Sequence, residues 1–189
     1  MGQNRGATGP WTRVLTGALL GLTLLAAGAA PPGPRFADED KDWGVPVAST
    51  LRRADYHAPT PREIPGARMM LTTDLKALLA RDPAVVLVDV LGDPPHPTLP
   101  GAVWLRHAGL AEFPGDELAR LEAILNKLTG GDRQRPLVFF CLSADCWLSY
   151  NAALRAAAFG YRNVIWYRGG VAAWREAGYP MAMSVPYAW

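Results

Sequence analysis

Two short segments of the chain are almost entirely apolar: residues 85–90 read VVLVDV and residues 137–140 read LVFF. Their β-branched and aromatic side chains are typical of strands that are buried on both faces of a parallel sheet. Stretches with a helical pattern alternate with such segments, and short loops join them. The sequence therefore predicts an α/β domain with a mainly parallel open sheet and helices on both faces.

The other predicted elements continue this alternation. Residues 68–71, 103–105 and 163–167 are predicted strands, a first helix begins with Thr72 or Thr73 as its N-cap, and further helices cover residues 116–128, 147–159 and 171–177. Glycines follow the last three helices, as is common at helix C-termini. In open sheets of this kind, ligands bind at the carboxyl ends of the strands. Cys141 directly follows residues 137–140, so we expect it at that edge.

The composition fits one globular domain and limits the possible partners. Of the 189 residues, 50% are hydrophobic and 19% are charged, which excludes a disordered chain and a multidomain enzyme. The formal charge is +2, without a stripe of interleaved basic and aromatic residues, so we expect no nucleic-acid partner. The three histidines have no ligand-like spacing, and we expect no metal and no other cofactor.

The first 29 residues have the layout of a secretory signal peptide. They contain Arg5 and Arg13 but no acid, followed by an apolar run over residues 14–27 and the small residues Ala-Gly-Ala at 27–29. The apolar run is shorter than the roughly 20 residues that span a bilayer. We expect export to the periplasm and cleavage after Ala29, which leaves 160 residues with a formal charge of 0 and no stable membrane insertion. The alternative is an uncleaved N-terminal anchor.

Residues 30–65 are predicted to form an N-terminal arm with little regular structure. Seven prolines lie in this stretch, and proline interrupts both helices and sheets. The aromatic side chains of Trp43 and Tyr56 favour docking of the arm on the domain, because their burial is favourable. The predicted organisation is a signal peptide at 1–29, the arm at 30–65, a domain at 66–182 and a C-terminal tail at 183–189.

The loop after residues 137–140 carries the candidate chemistry. It begins with Cys141 and ends with Cys146, and these are the two cysteines of the chain. A sulfur at the start of such a loop faces the unpaired amide groups of the following helix, which favours thiolate over thiol. Cys141 is therefore a candidate nucleophile. The alternative is that it serves as a small buried hydrophobic residue.

Several short motifs, in this order and spacing, resemble the rhodanese superfamily, in which the active loop begins with Cys and opens a helix. The resemblance covers roughly residues 66–182, and it is carried by Val-Asp-Val at 88–90, Leu-Pro-Gly-Ala-Val at 99–103, Tyr-Arg-Gly-Gly at 167–170, Trp174 and Gly-Tyr-Pro at 178–180. It implies the rhodanese-like fold, with Cys141 at the start of the active loop.

Within this superfamily, the chain is most similar to exported proteins named for a Cys-spacer-Cys-Trp (CXXCW) motif and associated with pyrroloquinoline quinone (PQQ) dependent catabolism of alcohols. Two stretches carry this closer resemblance: Tyr-His-Ala-Pro-Thr-Pro at 56–61 and Cys-Trp-Leu-Ser-Tyr-Asn-Ala-Ala at 146–153. The resemblance implies a periplasmic accessory protein that works near a PQQ-dependent dehydrogenase or its cytochrome partner.

The loop departs from the rhodanese pattern in its charge. Cys146 stands where the family usually has Arg, and the residues between the cysteines bring one acid and no base: Leu142, Ser143, Ala144 and Asp145. An anionic donor such as thiosulfate is then attracted by amide groups alone and repelled by Asp145. We therefore expect neither efficient thiosulfate sulfurtransfer nor phosphatase activity, since the related phosphatases use a longer loop with Arg.

The two cysteines instead predict a dithiol site. A loop curled around a helix N-terminus can bring their Cα atoms within the roughly 4.4 to 6.8 Å that a disulfide needs. In redox exchange or persulfide transfer with a small thiol or sulfur donor, Cys141 is the attacking thiol and Cys146 the resolving thiol, and Trp147 shields one side.

Three alternatives remain open for this loop. Exported thiols oxidise readily, so a permanent disulfide in a non-catalytic binding module is the first. A conventional sulfurtransferase with a weakly charged donor is the second. A Cu(I) site that adds Met181 or Met183 to the two cysteines is the third.

Two further residues are candidates for binding at the same sheet edge. Asp89 ends a predicted strand, where it can contact the loop or orient a substrate; alternatively, it caps a neighbouring turn. Arg168 can supply the positive charge that the loop lacks; alternatively, it is an ordinary exposed arginine. The candidate site thus has Cys141 and Cys146 as catalytic residues and, as substrate-binding residues, Leu142, Ser143, Ala144, Asp145, Trp147, Asp89 and Arg168.

Overall fold

A computed structural model of the chain describes residues 1–3, 6 and 33–189. The apolar run at 14–27 and the cleavage site predicted after Ala29 lie outside the described residues. Over the part that is described, none of the helices has both the length and the apolar character needed to span a membrane. Residues 33–189 form one compact unit.

A five-stranded parallel sheet lies at the centre of this unit. Its strands are β1 (Arg68–Met70), β2 (Val86–Asp89), β4 (Val103–Trp104), β5 (Leu137–Phe140) and β6 (Val164–Tyr167), in the spatial order β1-β6-β5-β2-β4. β5 pairs with β2 on one side and β6 on the other, and all four of its residues are buried. This central position is why β5 consists of apolar residues alone. The predicted mainly parallel sheet is confirmed.

Four helices cover the two faces of the sheet: α1 (Thr72–Arg81), α2 (Glu117–Thr129), α3 (Trp147–Ala158) and α4 (Gly170–Glu176). Alternate strand residues point to opposite faces, so the sheet separates two apolar clusters. Phe139 packs in the cluster that contains Leu125 of α2, whereas Phe140 packs in the cluster that contains Leu75 of α1 and Trp174 of α4. The α/β fold with helices on both faces is therefore confirmed.

A small second sheet was not among the predicted elements. β3 (Pro97–Thr98) and β7 (Ala182–Met183) form an antiparallel pair beside the main sheet. A strand of two residues is too short to leave a periodic pattern in a sequence, and β3 also begins with a proline. Their pairing brings the segment before β4 next to the end of the chain.

The start of α1 differs from the prediction. The N-cap is Leu71, which makes no side-chain capping bond, so the predicted N-cap at Thr72 or Thr73 is wrong. A buried carboxylate from the arm takes over this role: Glu39 Oε2 accepts hydrogen bonds from the Thr72 backbone N–H at 2.7 Å and from its hydroxyl at 2.6 Å. Sequence reasoning missed this cap because the acceptor lies 33 residues away.

The arm packs on the domain although residues 33–67 form no helix or strand beyond an isolated bridge at His57. Polar side chains of α3 hold it in place. The Tyr150 hydroxyl donates to the Ala48 carbonyl oxygen at 2.7 Å. The buried Asn151 amide donates to the Arg52 carbonyl oxygen and accepts from the Arg52 N–H, both at 2.9 Å. Hydrogen bonds to the arm backbone thus replace those of regular secondary structure.

Candidate functional site

The loop at the carboxyl end of β5 is closed by a disulfide between Cys141 and Cys146. Cys141 directly follows β5, and Cys146 is the N-cap of α3. Their Cα atoms lie 6.2 Å apart, within the range that a disulfide requires. Both cysteines are buried, with exposed fractions of 1% and 0%. The disulfide that the spacing of the two cysteines allows is therefore present, and it is buried.

The N-terminus of α4 fixes the first half of the loop. The N–H groups of Val171 and Ala172 donate to the carbonyl oxygens of Cys141 at 3.0 Å and Leu142 at 2.8 Å. This approach requires glycine at position 170, where φ is +59° and a Cβ atom would lie 2.3 Å from the Cys141 carbonyl oxygen. The backbone around the disulfide is thus held by the first turn of α4, where position 170 leaves no room for a side chain.

The four residues between the cysteines differ in exposure. Leu142 is 38% exposed and Asp145 is exposed, whereas Ser143 is half-buried and Ala144 is buried. The Ser143 hydroxyl donates to the Asp145 carboxylate at 2.5 Å. The side chains that this loop presents to solvent are therefore one apolar group and one acid, which gives an anionic donor no favourable charge.

Residues 56–60 of the arm, which we name the cover segment, run along the second half of the loop. The Ala58 N–H donates to the Asp145 carbonyl oxygen, and the Trp147 N–H donates to the Tyr56 carbonyl oxygen, both at 2.8 Å. His57 and Cys146 form an antiparallel bridge. The buried Thr60 hydroxyl donates to the Ala144 carbonyl oxygen. One backbone N–H at the start of α3, which an anion would otherwise be able to use, is therefore already paired within the chain.

Trp147 belongs to this contact between arm and loop. Its side chain is buried, and the indole N–H donates to the Pro59 carbonyl oxygen at 3.1 Å. The Arg52 guanidinium lies over the ring at 5.0 Å from its centroid. The ring therefore contributes to docking of the cover segment rather than to an open surface beside the disulfide.

Arg168 is buried, with an exposed fraction of 1%, so the alternative of an ordinary exposed arginine is wrong. Its guanidinium donates to the carbonyl oxygens of Glu39, Lys41 and Thr60 at 2.9 Å and to the Thr60 hydroxyl at 3.0 Å. Burial lowers the pKa of Arg168 to about 10, so the group remains charged at neutral pH. The Arg168 guanidinium therefore binds backbone carbonyl groups of the arm, and Thr60, which also bonds to Ala144, connects it to the loop.

Asp89 lies at the end of β2, but its carboxylate binds residues that follow β2 in the chain instead of the Cys141–Cys146 loop. Its carboxylate accepts the Thr98 hydroxyl at 2.5 Å and the Leu91 N–H at 2.9 Å, and it lies 2.8 Å from His96 Nε2. Burial lowers the pKa of His96, but its hydrogen bonds to Asp89 and to the Pro94 carbonyl oxygen outweigh this effect and raise it. These contacts match the alternative in which Asp89 organises a neighbouring turn.

The structure thus brings together only part of the predicted site. Cys141, Cys146 and the residues between them form one loop, Trp147 and Arg168 hold the arm beside it, and Asp89 organises a separate network with His96 and Thr98. Sequence reasoning missed Thr60 and the backbone of the cover segment. The Tyr-His-Ala-Pro-Thr-Pro motif at 56–61 was the available indication, since it contains the whole cover segment.

Comparisons with known proteins give one family match and several structural neighbours. A family model described as "Rhodanese-like domain" matches residues 71–177, whereas no curated protein matches the chain. Among solved structures, the polysulfide-sulfur transferase homodimer from Wolinella succinogenes is 24% identical over 62% of this chain and 79% of that chain, with a TM-score of 0.45. An uncharacterized protein from Saccharomyces cerevisiae is 25% identical over 58% and 92%, with a TM-score of 0.42. An EanB variant in complex with hercynine is 21% identical over 64% and 32%, with a TM-score of 0.48.

Proposed function

Because the chain belongs to the rhodanese-like domain family, we propose that its Cys141–Cys146 loop acts in thiol–disulfide or persulfide chemistry. The observation that carries the proposal is the disulfide between the first residue of the loop and the N-cap of α3. It joins the position of the family's nucleophile to the position where the family usually has Arg. A second sulfur at this position fits a resolving thiol.

The exchange reaction follows from this arrangement. In the reduced protein, the Cys141 thiolate attacks a disulfide of a partner, forms a mixed disulfide and releases one partner thiolate. The Cys146 thiolate then attacks the Cys141 sulfur of the mixed disulfide and releases the second partner thiolate, so two electrons pass to the partner. The N-terminal end of a helix stabilises a nearby thiolate, and Cys146 is the N-cap of α3. In the reverse reaction, a reduced partner regenerates the dithiol and is itself oxidised to a disulfide.

The same two sulfurs account for a persulfide version of the reaction. A donor of sulfane sulfur transfers one sulfur atom to the Cys141 thiolate. The Cys146 thiolate then attacks the inner sulfur of this persulfide, the internal disulfide forms, and hydrosulfide leaves with the transferred atom. The closed loop is the product of this step, and a thiol reductant must reopen it.

A binding module with a structural disulfide is the second candidate, and one observation favours it. Both cysteines are buried, with exposed fractions of 1% and 0%, and the cover segment lies along the loop. On this hypothesis the arm docks on a partner and the disulfide only fixes the loop. A conventional sulfurtransferase is less favoured, because Asp145 is exposed and the Trp147 N–H is already paired with Tyr56.

The cellular role that we propose is that of an exported accessory protein in PQQ-dependent alcohol catabolism. Its partner would be a PQQ-dependent dehydrogenase or the cytochrome that accepts its electrons. The N-terminal sequence supports export, and the two motifs of the CXXCW resemblance support the metabolic role. The test is growth of a deletion strain on an alcohol oxidised by such an enzyme. Rescue by Cys141→Ser as complete as by the wild type would exclude thiol chemistry as the essential role.

The proposed chemistry is tested first by the intact mass of the protein from the periplasm, alkylated with and without prior reduction. A mass that begins at residue 30 supports export, and alkylation only after reduction supports the disulfide. Its reduction potential then separates the two leading functions. A value well above about −300 mV supports exchange, whereas a lower value supports a structural bond.

Cys146→Ser is the matched variant for the persulfide version. It keeps Cys141 and removes only the resolving sulfur. With a polysulfide donor we expect this variant to retain one extra sulfur, whereas the reduced wild type returns to the disulfide and releases sulfide. Failure of Cys141 to gain sulfur from polysulfide would exclude this version and leave disulfide exchange.

A further inference from the structure

The cover segment, residues 56–60, runs along the half of the loop that ends in Cys146, and the disulfide of this loop is buried. Thiol–disulfide exchange requires the attacking sulfur to contact one sulfur of the disulfide. Cys141 and Cys146 have exposed fractions of only 1% and 0%. Some element around the loop must therefore move before a thiol can react.

The cover segment is the neighbour whose displacement disturbs the fold least. β5 is the central strand of the sheet, and α4 is tied to the loop through Val171 and Ala172 at a site that tolerates only glycine. The cover segment belongs to no helix or multi-residue strand, and Pro59 within it has no backbone N–H to donate. Its movement away from Cys146 therefore requires no hydrogen bond within the sheet or within a helix to break.

A buried pair of side chains holds the cover segment closed. Thr60 stands between the Arg168 guanidinium, which donates to its hydroxyl at 3.0 Å and its carbonyl at 2.9 Å, and the loop, where the Thr60 hydroxyl donates to Ala144. At the other end of the segment, Tyr56 accepts two hydrogen bonds. Its carbonyl oxygen accepts the Trp147 N–H, and its phenol oxygen accepts the Ala111 N–H at 3.0 Å. Both ends of the cover segment are thus fixed by hydrogen bonds, and the Thr60 end is fixed by a charged donor.

We infer that the cover segment determines which thiols react with the Cys141–Cys146 disulfide, and that Thr60 and Arg168 are the positioning residues that keep it closed. This inference rests on the proposed thiol–disulfide function of the loop. Reduction then proceeds from an open form in which residues 56–60 have left the loop. A reductant that displaces the cover segment reacts faster than a thiol that must wait for spontaneous opening.

The experiment measures the rate at which dithiothreitol reduces the disulfide of the full chain under native conditions, by alkylation and intact mass. Thr60→Val removes one hydroxyl at nearly constant volume. We expect about tenfold faster reduction, since the hydroxyl bonds both to Ala144 and to Arg168. Tyr56→Phe removes only the acceptor of the Ala111 N–H and should accelerate reduction more weakly. It serves as the second variant if Thr60→Val does not fold.

Thr129→Val is the matched control. Thr129 is also a buried threonine whose hydroxyl donates to a backbone carbonyl, that of Leu125 at 2.9 Å, but it lies at the end of α2. We expect the control to be reduced at the wild-type rate even if its thermal stability falls as much as that of Thr60→Val. Equal rates for Thr60→Val and the wild type, or equal acceleration by Thr129→Val, would overturn the inference. The equilibrium reduction potential of the wild type tests the proposed function separately, because it does not depend on the opening rate.

Discussion

We expect Gly170→Ala to destabilise the protein through two separate effects, an unfavourable backbone conformation and a steric overlap with the loop. Position 170 has φ of +59°, and an added Cβ atom would lie 2.3 Å from the Cys141 carbonyl oxygen and 2.8 Å from the Leu142 carbonyl carbon. The left-handed conformation costs a residue with a Cβ about 1–2 kcal/mol. The steric overlap adds about 1–3 kcal/mol, typical of overpacking in a rigid site. We therefore expect Gly170→Ala to lower the free energy of unfolding by about 2–5 kcal/mol.

Gly178→Ala is the control for the conformational part alone. Its φ is +72°, and a Cβ atom there would meet nothing within 4 Å, so the expected loss is only about 1–2 kcal/mol. Urea unfolding with the disulfide intact, followed by tryptophan fluorescence, measures both variants. A loss for Gly170→Ala no larger than that for Gly178→Ala would refute the argument that the Cys141 carbonyl oxygen excludes a side chain. Alkylation without reduction shows in addition whether the disulfide still closes in Gly170→Ala.

Three other substitutions test the networks around the site. The pKa of His96 is raised above 6.5 by Asp89 and Pro94 despite its burial. The stability that this contact provides should therefore be greatest below about pH 6.5 and should decrease as the pH rises through the folded-state pKa. In His96→Gln, the urea midpoint should not show this decrease. Asn151→Ala removes three hydrogen bonds of a buried amide and should lower the free energy of unfolding by about 3 kcal/mol. Leu125→Ala, at a fully buried position of α2, should lower it by about 2–5 kcal/mol without changing the rate of disulfide reduction.

The sheet was predictable from the sequence because its signal is local. β5 and the first three residues of β2 are apolar. The structure explains why: Phe139 and Phe140 face opposite helix layers, as do Val88 and Leu87. The residues within such a strand must fill two cores and are therefore apolar, and the polar residue of β2, Asp89, stands at its last position. β3 and β7 lacked such a pattern, since each contributes only two residues to a small sheet. Their pairing depends on where the end of the chain lies in the fold.

The candidate site was predictable only where neighbouring residues determine it. The spacing of Cys141 and Cys146 around a helix N-terminus was sufficient to predict that they can pair. The partners of Arg168 were not predictable, because they lie 108 to 129 residues away in a segment without periodicity. Its hydrogen-bond partners are backbone carbonyl oxygens and one hydroxyl, which leave no pattern in a sequence.

The arm and the loop form one structural unit, and this limits how the two leading functions can be separated. Deletion of residues 31–60 removes Glu39, which caps α1, the carbonyl oxygens that pair with Arg168, and the cover segment. A loss of activity after this deletion therefore fits either function. The double variant Cys141→Ser with Cys146→Ser avoids the ambiguity, because the bonds of the loop to the cover segment involve its backbone groups, which the variant retains. Loss of growth on alcohols in a variant that still folds then indicates thiol chemistry, and full growth indicates a binding module.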